Sequence, residues 1–215
     1  MVDPNSKNYF ANLNTIFNTT ELRGSRIYLR RLKNSDINDF YVGFFRNTEL
    51  VKYMYQTTRA IDSQNLIDEL KSGEDTNNFH IYGIFDSIKN LCIGNIRVGY
   101  ITHRHKISDL AIFIGHPDYV GKGFATEAIA LGNQLCFDIY DFRKLHGGMF
   151  EENIASVKAY LKTGWVVEGR LRGQYWVQEK RMDRIAVACF NPNYFDKAFL
   201  TKVEQLSAVH LKDLF

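Results

Sequence analysis

The chain has 215 residues, 45% of them apolar and 24% charged, which is enough to bury the core of one domain, with or without extensions. A formal net charge of +3, with no run of lysine and arginine interleaved with aromatics, argues against a dedicated nucleic-acid binder. No apolar run approaches the length of a membrane span, and Cys92, Cys136 and Cys189 lie far apart in apolar company, as reduced core thiols of a cytoplasmic protein would.

In chain order, Met1 to about Thr20 is a polar, asparagine-rich leader without a hydrophobic signal region, which again points to the cytoplasm. Arg26 to Leu32 alternates as a first strand. Asn34 or Ser35 caps a helix through Asp36 to Phe45, and Asp62 or Ser63 caps a second one with Leu66, Ile67 and Leu70 on its apolar side. Gly73 to Asn78 is a loop, and Phe79 to Phe85 with Leu91 to Tyr100 form a hairpin. A polar turn, Thr102 to Lys106, leads into a strand from Ile107 to Gly115. A glycine-bearing loop follows, then a helix with Ala125, Ala128, Ile129, Gly132 and Cys136 at helical spacing. Lys144 to Phe150 is a strand, Asn153 to Thr163 a helix closed by Gly164, and Trp165 to Leu171 and Arg184 to Phe190 are the last strands. Between Tyr194 and Phe215, the residues Phe199, Val203, Leu206 and Val209 give an amphipathic helix. This order predicts an α/β (α+β) fold with one central sheet and no internal repeats.

The loop between the middle strand and helix, Asp118 to Ala125, carries the first chemical signal. A helix that starts straight out of Gly121-Lys122-Gly123 leaves its first N–H groups unpaired at the positive end of the helix dipole. Glycines let that backbone approach a ligand, so the construction suits a phosphate or a pyrophosphate; a plain tight turn is the competing reading. The loop is not a Walker loop, because Lys122 lies between the glycines and no Gly-Lys-Ser/Thr follows, and it lacks the third glycine of a dinucleotide fingerprint.

Four motifs in register carry a family resemblance. Val120-Gly121-Lys122-Gly123-Phe124-Ala125-Thr126-Glu127-Ala128 resembles the acetyl-CoA pyrophosphate loop of the GNAT N-acetyltransferase superfamily, in the form used by its RimJ/RimL-like branch. Asn153 to Ser156, running to Lys162-Thr163-Gly164-Trp165, is similar to that branch's Asn-x-x-Ser helix. Val167 to Arg172 is similar to its Glu-Gly-x-x-Arg strand, and Arg181-Met182-Asp183-Arg184 to the segment before its last strand. The likeness covers about Arg26 to Phe190. The superfamily's loop opens with Gln or Arg where this chain has Val120.

The resemblance implies a GNAT fold over residues 23–192, with a central mixed, splayed sheet flanked by helices, an N-terminal extension over 1–22 and a C-terminal helical one over 193–215. It implies acetyl-CoA as donor, slotted between the splayed strands Ile107 to Gly115 and Lys144 to Phe150. Direct transfer to an amine needs a proton acceptor for the amine and donors for the oxyanion and the departing thiolate. Tyr160, four residues before Gly164, is the implied general acid; a core aromatic is the alternative. Asp109 is the implied base, acting through water, with pairing to Arg104 or Lys106 nearly as good a reading, and His116 is a second candidate. Cofactor contacts are implied for Ile114, for Val120 to Thr126, and for Asn153, Ser156 and Lys158, with Lys162 as an alternative to Lys158. His103, His116, Tyr53 and Arg172 are implied acceptor contacts, with Tyr55, Gln56, Glu168, Arg170, Tyr175 and Trp176 in the same regions. His103-x-His105 lacks a third ligand nearby, so no metal is assigned.

The acceptor expected is a small-molecule amine, foremost an amino sugar carried on a nucleotide. The N-terminal amine of a (ribosomal) protein and a polyamine such as spermidine are the alternatives, and a non-catalytic acyl-CoA-binding module is the reading outside the enzyme class. No nucleic-acid or membrane partner is expected. A homodimer through the final strands or the helix bearing Phe199 to Val209 is one arrangement the sequence allows.

Overall fold

The computed structural model describes residues 21–54, 61–177, 179–212 and Leu214. The leader Met1 to Thr20 and the acceptor candidates Tyr55 and Gln56 lie outside the described residues. Eight strands form one sheet: β1 (Glu21–Arg23), β2 (Ile27–Arg31), β3 (Phe79–Asp86), β4 (Cys92–Gly99), β5 (Ile107–Ile114), β6 (Lys144–Phe150), β7 (Val166–Val177) and β8 (Lys180–Phe190). Their order is β1-β2-β3-β4-β5-β6-β8-β7. Among the described residues six α-helices accompany them: α1 (Asp39–Arg46), α2 (Thr48–Val51), α3 (Ser63–Thr76), α4 (Phe124–Gln134), α5 (Ile154–Leu161) and α6 (Lys197–Leu211).

Every neighbouring pair of strands is antiparallel except β5 with β6, which run parallel and pair only at Ile107↔Lys144, Ser108↔Leu145 and Asp109↔His146. Past Asp109 each strand follows its other neighbour. β5 stays on β4 through Ile114↔Gly94, and the Gly115 N–H donates to the Ile93 carbonyl at 2.9 Å. β6 stays on β8 as far as Phe150↔Arg184. The sheet is therefore split from Leu110 onward, with a closed end at Asp109 and an open end at the C-terminal ends of both strands.

Because side chains alternate across a strand, the sheet has two faces with separate packing. One face carries Leu29, Tyr82, Ile96, Leu110, Leu145, Ile185 and Val187 under Ile129 of α4 and Val157 and Tyr160 of α5. The other carries Tyr28, Phe85 and Phe113 under Tyr41 and Phe44 of α1 and Leu66 and Leu70 of α3. Coverage on both faces explains why Phe79 to Phe85 is a nearly unbroken apolar run. At the far edge α6 shields β7, and the buried Val167 N–H donates to Ser207 Oγ at 2.8 Å.

Element ends depart from the sequence reading where tertiary partners decide them. The first helix is capped by Asn38, whose side chain accepts the Tyr41 N–H at 3.0 Å, and not by Asn34 or Ser35. Residues Asn34–Asp36 form a 3₁₀ turn, since the Asp36 carboxylate is held by Arg30 at 2.7 and 2.8 Å and by the Lys33 N–H at 2.8 Å. Gly73 lies inside α3 and not in a loop: it packs so close to Phe79 that a Cβ would sit 2.5 Å from the Phe79 carbonyl, and the helix ends at left-handed Asn77. The helix of the glycine loop is α-helical only to Gln134 and continues as a π turn, Leu135–Ile139. β7 and β8 extend into a long hairpin through Val177 and Lys180, and β1 adds a strand through Leu22↔Leu29. Among the described residues no helix is long and apolar enough to cross a membrane.

Candidate active site at the split of the sheet

The open end of the split leads into the glycine loop. Gly121 and Gly123 hold φ of +74° and +82°, values that non-glycine residues adopt only with strain, and no atom lies within 4 Å of where a Cβ on Gly121 would be. Gly123 is the N-cap of α4 and no side chain caps the helix. The first bond of the helix runs from the Glu127 N–H to the Gly123 carbonyl at 3.2 Å, which leaves the N–H groups of Phe124, Ala125 and Thr126 without an intrahelical acceptor. Val120, Gly121, Lys122 and Gly123 are exposed, so the concave backbone surface is accessible and electropositive. This is the geometry a pyrophosphate requires, and the absence of side chains at both glycines leaves room for it.

The closed end gathers the chemistry. Tyr160 reaches from α5 between the two strands and donates its hydroxyl proton to the Leu110 carbonyl at 2.7 Å. That carbonyl points across the gap, since a Cβ on Gly147 of β6 would be 3.6 Å from it. Tyr160 is buried edge-on against Trp165, with ring centroids 4.7 Å apart, and burial, with the nearby Asp109 charge, holds its pKa well above the usual phenol value. The phenol therefore keeps its proton at any working pH. α5 is positioned by Asn153, whose side chain caps it by accepting the Ser156 N–H at 3.3 Å.

One residue before Leu110, on the opposite face, stands Asp109. Burial raises its pKa to about 6 against the opposing pull of Arg97 and Arg184. A carboxyl so tuned is ionised at neutral pH and still basic enough to take a proton. Its register partner on β6 is His146, with Nδ1 3.7 Å from Asp109 Oδ2. That approach is within ion-pair distance, yet burial, aided by Arg184 and Lys144, pushes the His146 pKa below its usual value. The neutral imidazole is thus a polar neighbour and not a fixed counter-ion. Arg184 lies flat over Gly148: a Cβ there would stand 1.9 Å from its Nε. The sequence gives His146, Arg97 and Arg184 no role in the site, since its signal there is only polar residues set among the apolar ones of β4, β6 and β8.

Asp109 does not pair with Arg104 or Lys106; Lys106 binds Asp141 and Tyr194 instead. The remaining candidates fall in several places. Ile114 ends β5 at the open end, and Lys158 and Lys162 occupy the outer surface of α5. Tyr53 lies 6.1 Å from the Phe150 ring, which packs tilted against Tyr175 at 4.5 Å, so an aromatic group borders the split on the Asp109 face. His103 lies in the turn before β5, at the closed end, with Nε2 3.0 Å from the Asn77 carbonyl. His116 sits past the end of β5, where its Nδ1 accepts the Asp118 N–H at 3.2 Å and its ring packs between Phe40 and Tyr119. Arg172 is on the exposed β7–β8 hairpin, bound to Asp183 at 3.1 Å. These bonds of His103, His116 and Arg172 go to groups other than Asp109 and Tyr160. Among the described residues no group of three or more His, Cys, Asp or Glu could hold a metal ion.

Comparison with known proteins agrees with this geometry. A family model described as an acetyltransferase (GNAT) domain matches residues 26–166. Spermidine N(1)-acetyltransferase of Escherichia coli (strain K12) is 30% identical over 101 residues, 47% of this chain and 54% of that protein, so the chain matches about half that relative's length. Spermidine N(1)-acetyltransferase of Vibrio cholerae is 25% identical over 181 residues, 81% of this chain and 98% of that protein. Among solved structures, spermidine N-acetyltransferase from Vibrio cholerae in complex with CoA and spermine superposes with a TM-score of 0.71 at 22% identity, over 80% of this chain and 99% of that one. Ribosomal-protein-S5-alanine acetyltransferase from Vibrio fischeri gives 0.70 at 16% identity, over 82% and 99%. Likeness at this level speaks for the fold.

Proposed function

The chain belongs to the GNAT acetyltransferase family, and from that premise we propose that it moves an acetyl group from acetyl-CoA directly to the primary amine of a small molecule. The observation that carries this reading is the placement of a protonated phenol and a carboxylate at the two sides of one gap, Tyr160 reaching Leu110 and Asp109 beside it. Acetyl-CoA supplies an activated acyl thioester. Loop residues 121–126 would hold its pyrophosphate, and the unpaired edges of β5 and β6 its pantetheine arm. Asp109 accepts the proton of the amine, through water, and Tyr160 holds a proton for the sulfur.

For the acceptor, the relatives support a polyamine such as spermidine, which is the activity their names give. Asp109 would attract a cationic amine, and the Tyr53, Phe150 and Tyr175 rings would pack along its methylene chain. A second reading, an amino sugar carried on a nucleotide, is favoured by the cations near Asp109. Arg97 and Arg184 both act on it, and the neighbouring acids Glu69 and Glu168 are already paired with Arg97 and Lys144. The RimJ/RimL-type acceptor, a protein N-terminal amine, completes the panel.

Free-thiol release from acetyl-CoA, measured with spermidine, nucleotide-linked amino sugars and N-terminal peptides, separates these. Turnover on spermidine alone is the expected result, and turnover on the amino sugar alone overturns it in favour of the second reading. Bound CoA with no thiol release from any amine would sink the enzyme reading and leave an acyl-CoA-binding module.

A further inference from the structure

The glycine loop carries one charged side chain of its own, the exposed Lys122; Val120 at its head has no polar side chain, and no side chain caps α4. A second cation reaches it from elsewhere. Arg26, in the segment before β2, sends its guanidinium across to the loop. Its Nε donates to Glu127 Oε2 at 2.8 Å, its Nη1 to the Lys122 carbonyl at 3.0 Å, and its plane lies 4.1 Å over the Phe124 ring. Its Nη2 has no acceptor among the described residues and lies 3.6 Å from where a Cβ on Gly123 would be, on the loop's open side. The side chain is 45% exposed, so that edge is accessible.

Glu127 makes the arrangement more than a clamp. A carboxylate in the first turn of α4 would repel a phosphate bound at the same helix end. Here both oxygens are engaged: Oε1 accepts the Ser25 hydroxyl at 3.1 Å and the Arg26 N–H at 2.8 Å, while Oε2 takes the guanidinium. Gly24 permits this, since a Cβ there would stand 2.6 Å from Oε1. The carboxylate thus fixes the guanidinium and is screened by it.

We propose that Arg26 is a cofactor-binding residue. Held by Glu127 and the Lys122 carbonyl, it presents Nη2 to the pyrophosphate cradled by residues 121–126 and adds a fixed cation to the exposed one of Lys122. This rests on the acetyl-CoA reading above. Arginine suits the place because its five donors lie in a rigid planar fork, which can hold a carboxylate and a carbonyl and still offer a fixed edge to phosphate, whereas an ammonium presents its three donors from a single point.

The test is calorimetric binding of CoA and of dephospho-CoA, which lacks the 3′-phosphate and keeps the pyrophosphate, to wild type, Arg26→Ala and Arg26→Lys. Loss of one charge-assisted hydrogen bond to phosphate should weaken both ligands by about tenfold in Arg26→Ala. Arg26→Lys should recover only part of it. Should the alanine variant fail to fold, the lysine variant, which keeps a charge beside Glu127, decides alone. A dissociation constant within about twofold of wild type in a folded variant, with only the unfolding temperature lowered, overturns the contact and leaves a structural clamp. Weakening of CoA but not of dephospho-CoA overturns it too, by placing Arg26 on the 3′-phosphate. Wild type that binds neither ligand sinks the donor reading itself, which the variants alone could not do.

Discussion

On the face that carries α4 and α5, the surroundings of the split are apolar and packed. Leu110, Leu145, Met149, Val157 and Trp165 enclose Tyr160, whose single polar atom is spent on the Leu110 carbonyl. On the other face the same two strands present Asp109, His146 and Gly148, with Arg97 of β4 and Arg184 of β8 beside them. One side offers a fixed proton in a dry wall, the other a set of charged and titratable groups. The first side suits a donor common to a whole family, and the second is where an individual acceptor would be chosen.

The largest effect that would break this division is Tyr160→Phe. Removing a positioned general acid should lower kcat by about 100-fold. The CoA dissociation constant should stay near wild type, because the aromatic ring still fills its site against Trp165. Stability should fall by about 1 kcal/mol, the worth of the lost hydrogen bond to Leu110. Single-turnover acetylation with calorimetric CoA binding checks both parts, and unchanged turnover would return Tyr160 to the core.

Asp109→Asn should come next, lowering kcat/KM by about 10–100-fold. The wild-type profile should rise through pH of about 6 as the carboxyl becomes a base, and the variant's should lack that limb. Stability should move the other way. Because burial lifts the folded-state pKa from 3.8 to about 6, the folded chain holds the proton more tightly, and ionisation costs stability as pH rises between those values. The side chain is only 23% exposed, so the cost is fully present at neutral pH and amounts to at most about 3 kcal/mol. Asp109→Asn should therefore melt above wild type at pH 7 and level with it near pH 4. A variant less stable at pH 7 would show that Asp109 is an ion-pairing residue.

The two faces also differ in how much of them the sequence could disclose. Gly121, Gly123, Asn153 and Tyr160 act through their own neighbours in the chain: a left-handed turn, a helix cap, a fixed number of residues to Gly164. Such arrangements are legible as spacing. The charged face depends on register. His146 meets Asp109 only because β5 and β6 pair in parallel at that level, and Arg184 reaches the group because β8 runs back along β6 and Gly148 leaves room for it. A one-residue slip would put each of these on the other side, and nothing local announces the register. Arg26 went unread for the same reason, being about a hundred residues from the loop it touches. The first helix begins later than its capping residues suggest because Asp36 is engaged by Arg30, so the chain is not free to start α1 there. The β7–β8 hairpin was cut short because its outer half, from Leu171 to Trp176, is too exposed to show alternation.

The smallest effect sharpens the comparison most. Gly148→Ala places a methyl group where the Arg184 guanidinium now rests, 1.9 Å from its Nε. The obstacle is the end of a flexible side chain, so the arginine should swing aside at a folding cost within about 1 kcal/mol. The donor face should not notice: the CoA dissociation constant should be unchanged. On the acceptor face, losing the cation that lowers the Asp109 pKa should shift the rising limb of the pH profile above its wild-type position. The acceptor KM should change by about three- to fivefold, the worth of one partly exposed charge contact, and its direction is informative. A polyamine, itself cationic, should bind better once Arg184 has moved, and an acceptor carrying phosphate should bind worse. An equal change in CoA affinity would mean that the two faces are not independent and that Gly148 belongs to the pantetheine channel.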